Sequence, residues 1–119
     1  MITLDFEDKY FCRVRFEIDE SYLLCYDFMA SKLRKFINMV KNNCMIRYYD
    51  ILIELDKSCD ILLSDLNNEA DVSVRITKNK QNLRIVNSRI KKVTKAKNII
   101  NEYVTEYLNK MNETRYKIL

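Results

Sequence analysis

"DVSVRITKNKQNLRIV", residues 71–86, reads in two ways, and the choice between them sets the fold. Val72, Val74 and Ile76 alternate with polar residues, as a half-buried strand requires. "LRIV", at 83–86, is a second short apolar run, and Asn79 sits near the middle of the polar link. A second β-hairpin near 72–86 fits this pattern. A continuous helix is the competing reading, and runs this short do not decide between them.

On both sides of the stretch the period is helical. Upstream, Met45, Tyr48, Leu52, Leu55, Cys59, Leu62 and Leu66 recur at alternating spacings of three and four, which predicts a helix ending near "NNE" at 67–69. Downstream, from Asn87 or Ser88, Ile90, Val93, Ile100, Val104, Tyr107, Leu108 and Met111 mark a long last helix ending near Asn112. Lys97 falls inside that stripe and Ile99 falls off it. Further back, Tyr22, Tyr26, Met29, Leu33, Phe36, Ile37 and Val40 share one helical face, with Asp19 or Ser21 as the cap and "KNN" at 41–43 as the end.

The N-terminus alternates cleanly. Ile2, Leu4 and Phe6 lie on one side of a first strand, and Cys12, Val14, Phe16 and Ile18 on one side of a second. The expected architecture is α+β and mostly helical: an N-terminal antiparallel β-hairpin, two helices, the undecided 72–86 segment and a long C-terminal helix. Residues 1–119 are expected to form a single domain, as the length suits. Leu33, Phe36, Leu55, Leu62, Val93 and Val104 are its expected core.

The chain has no Gly, Pro, His or Trp. Without Gly, backbone positions at positive φ are expected to fall to Asn or Asp, and twelve Asn are present. Without Pro, helices go unbroken. Heavy use of Ile, Lys, Asn and Tyr is the bias of AT-rich coding DNA, which points to a virus, a mobile element or an AT-rich microbe. Cys12, Cys25, Cys44 and Cys59 are scattered and lack metal-binding spacing. They suit free thiols in a reducing, cytoplasmic compartment. No cofactor and no metal is expected, and no run reaches the ~20 apolar residues of a membrane span.

Charge is the informative feature. Residues 1–71 hold fourteen acids and nine bases, whereas 73–98 hold nine bases and no acid. The net charge of +4 conceals this asymmetry. At 100° per residue, Lys91, Lys92 and Lys95 lie opposite Ile90, Val93 and Val104, joined by Arg84 if the helix starts that early. Arg89 flanks the seam, and Arg75, Lys78 and Lys80 precede it. These eight residues form a candidate basic ridge for a polyanion. A solvated charged face and pairing with acids of the first half are the plainer readings of the same run.

Catalytic constellations are weak. Without His there is no Ser-His pair, and without Gly no phosphate loop. Tyr103, Tyr107 and Lys110 share the helical spacing of a nickase tyrosine site, but core packing explains the spacing as well. Asp50, Glu54, Asp56 and Lys57 suit a metal nuclease only if the acids lie on adjoining strands. Cys12 beside Arg13 is expected to turn toward the core.

The function expected is therefore binding rather than catalysis. The leading expectation is a small accessory protein that binds nucleic acid or a nucleoprotein complex. The alternative is a protein-interaction module, an inhibitor, adaptor or homo-oligomer, that docks on an acidic partner through the ridge or the hairpin edge.

Overall fold

The computed structural model describes residues 1–118, with side chains through Thr114. Two strands, β1 (Ile2–Glu7) and β2 (Arg13–Ile18), pair antiparallel with Leu4 opposite Phe16. A π-helical turn (Tyr22–Tyr26) leads into α1 (Ala30–Asn43), and a 3₁₀ turn (Met45–Arg47) leads into α2 (Tyr48–Arg75). The last helix is α3 (Lys80–Ile118). At ~1.5 Å per residue, its 39 residues account for the 57 Å long axis of the molecule.

Neither reading of 72–86 holds whole: the segment is helical and not a second hairpin, but the helix is not continuous, since α2 runs to Arg75, residues 76–79 turn, and α3 starts at Lys80. The alternating residues Val72, Val74 and Ile76 are exposed, and Ser73 between them is buried. The three-four repeat explains this once it is carried past Leu66. It lands on Ala70 and Ser73, which are small enough for α3 to approach closely. The Ser73 hydroxyl accepts a hydrogen bond from Asn82 Nδ2 at 2.8 Å, so the one buried polar residue of the described core is satisfied.

The turn between α2 and α3 also corrects the expectation for positive φ. Among the described residues those that adopt it are Phe11 (φ 64°) and Lys78 (φ 50°), neither of them Asn or Asp. Asn79 caps α3 instead, its Oδ1 accepting from the Asn82 backbone N–H at 3.0 Å. At the hairpin tip Asp8 plays a similar part, accepting from the backbone N–H groups of Tyr10 and Cys12. Those bonds hold Cys12 at the exposed tip, outside β2, so it does not turn into the core as expected.

The first predicted helix is broken in two. Asp19 Oδ1 accepts from the Ser21 and Tyr22 N–H groups, and the chain then winds one π turn closed by Asp27 N–H donating to Tyr22 O. The wider turn shifts the face by a residue. Leu24 and Cys25 go inward, while Tyr22, Tyr26 and Met29 are exposed rather than continuing the face of Leu33, Phe36, Ile37 and Val40. Met45 is exposed for a related reason, since it belongs to the 3₁₀ turn before α2.

One apolar cluster joins the sheet, the π turn and all three helices. Ile2, Leu4, Leu33, Leu55, Val93 and Ile100 are fully buried. Leu62 and Val104, expected inside, are half-buried at the edge of the cluster. The stripe of α3 ends at Tyr107, whose ring stacks on Tyr49 at 4.9 Å and meets Tyr48 edge-on at 5.9 Å. Because α2 begins at Tyr48 and runs antiparallel, no neighbouring helix of the hairpin lies beyond that level. Leu108 and Met111 are exposed, and α3 continues past Asn112 to Ile118.

Candidate functional site

Ion pairs sort the bases of 73–98 into two groups. Lys97 reaches across to α2, with Nζ 3.0 Å from Asp56 Oδ1 and 2.6 Å from Asp60 Oδ1. These bonds hold its ammonium charged above its ordinary pKa of 10.5. Lys97 therefore occupies its place in the apolar stripe as a bridge between helices. Arg75 is paired too, 2.9 Å from Asp71 one turn earlier on α2. Among the described residues, Lys78, Lys80, Arg84, Arg89, Lys91, Lys92 and Lys95 make no ion pair at all.

The seven unpaired bases are not one ridge. Lys80, Arg84, Lys91 and Lys95 are exposed and follow one another at four, seven and four residues along α3. That spacing gives a stripe ~22 Å long at 1.5 Å per residue. The first turn of α3 holds no acid. Lys80 adds positive charge where the helix dipole is already positive, an arrangement that costs stability rather than adding it.

Arg89 and Lys92 are half-buried and turn toward the π turn. The Arg89 guanidinium lies over the Tyr26 ring at 4.7 Å. With Arg84, Ile85 and Ser88 they line a shallow pocket of about 360 Å³. Three cations, a hydroxyl and an aromatic face thus converge at the junction of α3 and the π turn. Such a set can neutralise phosphate oxygens and offer a flat surface for stacking. Arg89 and Lys92 also act on the neighbouring Cys25 thiol, partly offsetting the upward push that burial gives its pKa. The charge pattern of the sequence singles out neither Tyr26 nor Ser88. Tyr26 was expected on the buried face of a regular helix, and the π turn is what exposes it.

The other constellations do not assemble. Tyr107 stacks on Tyr49 and meets Tyr48 edge-on, and burial pushes the Tyr48 phenol up to about 12. Lys110 bonds Glu106, which also receives Lys41 of α1. Asp50 and Glu54 lie exposed on α2 while Asp56 is held by Lys97, so the acids do not share a strand-built centre. No group of three or more Cys, Asp and Glu converges among the described residues. Cys59 is pushed up to about 12 by burial, with Asp56 adding to the effect, which leaves it a poor nucleophile. No described helix is long and apolar enough to cross a membrane. No protein-family model matches the chain, and neither a curated protein nor a solved structure shows significant similarity to it.

Proposed function

We propose that this protein binds nucleic acid through the basic face of α3. The observation that carries the proposal is the division of the charges. Two of the nine bases are used to hold helices or turns, and seven stand without an acid partner among the described residues, six of them on one helix. A run serving only internal pairing would look like Lys97 throughout.

Lysines grip phosphate as point charges and read little sequence, so binding is expected to be strong in charge and tolerant of sequence. The stripe Lys80, Arg84, Lys91 and Lys95 would follow a backbone, and Arg84, Arg89 and Lys92 would enclose one phosphate. The exposed ring of Tyr26, held by Arg89, would give an unpaired base a stacking surface, which favours single strands over duplex. Anisotropy titrations with labelled single-stranded and duplex oligonucleotides across a salt series test this. With about four to six phosphates neutralised, log K is expected to fall against log salt with a slope of about −4 to −5 on duplex. No binding to DNA or RNA at low salt would end the proposal.

One observation favours the second reading, an acidic protein partner. Val72, Val74, Ile76 and Ile85 are exposed beside Arg75, Lys78 and Arg84, a mixture of apolar and basic groups that suits an amphipathic acidic segment. Substituting Val74 and Ile76 with Ser separates the two readings: both are exposed and neither lines the pocket of Arg84, Arg89 and Lys92, so nucleic-acid binding would be unaffected.

A further inference from the structure

Among the described residues the sheet has two strands, so the outer edge of β2 is unpaired. Beside it lies an apolar groove of about 640 Å³, walled by Phe16, Ile18, Leu23, Phe36 and Met39 from β2, the π turn and α1. Phe16 is 41% exposed. An open strand edge with an apolar trough next to it is a surface that another strand can extend.

The residues of the edge specify which strand fits. β2 and its next residue read Arg13-Val14-Arg15-Phe16-Glu17-Ile18-Asp19. Suppose a second copy adds its own β2 antiparallel about a two-fold axis. Residues directly opposite share a face, so Val14, Phe16 and Ile18 must oppose one another to keep the apolar side together. Centring the axis on Val14 sets Arg13 against the partner's Arg15. Centring it on Arg15 sets two arginines face to face, and centring it on Glu17 does the same with two glutamates. Centring it on Phe16 gives no like-charge pair. Phe16 then meets the partner's Phe16, Val14 meets the partner's Ile18, Arg15 meets the partner's Glu17 and Arg13 meets the partner's Asp19.

The geometry points to a two-fold dimer in which the β2 edges pair about Phe16 and form a continuous four-stranded sheet. Each Phe16 covers the mouth of the partner's groove. Arg15 and Glu17 now lie 3.5 Å apart along one strand, with side chains 68% and 53% exposed. In the dimer each exchanges that contact for an opposite charge across the axis. The interface is a single strand edge plus one aromatic pair. It belongs at the small end of interface sizes, and a dissociation constant on the order of 1–100 μM is expected.

Sedimentation velocity of the purified chain, as a concentration series reaching about 300 μM, tests this. The expected species at the upper end has twice the 14.4 kDa chain mass. Arg15→Glu places acids opposite acids, and Glu17→Arg places bases opposite bases, so each single variant is expected to be monomeric. An equal mixture of the two restores Arg–Glu pairs in the same register and is expected to dimerise, as is the double variant R15E/E17R. Circular dichroism of each variant should match the wild type, because both side chains lie on the surface. A wild type that stays monomeric throughout overturns the inference. So does a dimer that persists in both single variants, or single variants that fail to rescue one another on mixing.

Discussion

Lys95 and Lys97 stand two residues apart on the same helix, yet they do opposite things. Lys97 points into the seam between α2 and α3 and holds Asp56 and Asp60, whereas Lys95 is exposed and touches no acid among the described residues. The same contrast divides the whole run from 73 to 98. One set of bases is part of the construction of the helical hairpin, and the other set is left over by it. A tally of charge along the chain treats the two alike. The helix phase, and what the facing helix supplies at that level, tells them apart.

The hairpin seam should therefore be sensitive and the basic face indifferent when stability is measured. The largest loss is expected at Leu55, which is fully buried on α2. Leu55→Ala should lower unfolding free energy by about 2–5 kcal/mol in urea denaturation. Ser73→Ala removes the buried hydroxyl that accepts from Asn82 near the turn, and about 1–2 kcal/mol should be lost. A change near zero there would mean that the hairpin does not close as described.

Lys97→Met should cost about 1 kcal/mol or less, since the bridge is partly wetted. Its pH dependence sharpens the comparison. The folded state raises the pKa of Lys97, so its stabilisation is fully present below the ordinary 10.5 and fades as pH climbs through the higher folded value. The gap between wild type and Lys97→Met should close only in strong alkali. Lys95→Met should lie within about 0.5 kcal/mol of wild type.

Much of this fold is legible in the sequence, and the failures have a common cause. The hairpin strands and the body of each helix follow from strict periods: alternation at 2–6 and 13–18, and the three-four repeat from Tyr48 to Leu66. Residues 72–76 mislead because valine alternation looks like a strand, while the residues that face α3 there, Ala70 and Ser73, are too small or too polar to register as core. Residues 22–29 mislead because the π turn inserts a phase shift that no periodic template contains. The candidate site inherits both errors. Its lysines and arginines stand in the sequence as a run without acids, but Tyr26 and Ser88 do not. The pocket exists only because the π turn brings an outward-facing tyrosine against Arg89. The pairing of Lys97 was foreshadowed by its anomalous place in the apolar stripe, and the partners Asp56 and Asp60 become evident once α2 is seen to run antiparallel beside it.

One set of titrations tests the division most directly: wild type, Lys97→Met and K91E/K95E measured against the same oligonucleotide over one salt series. If the unpaired bases are the binding face, K91E/K95E should weaken binding to every sequence alike and make the salt slope shallower by about 2. Lys97→Met should leave the slope as it was, although it removes a positive charge from the same helix. Equal losses for both variants, or none for K91E/K95E, would contradict the account.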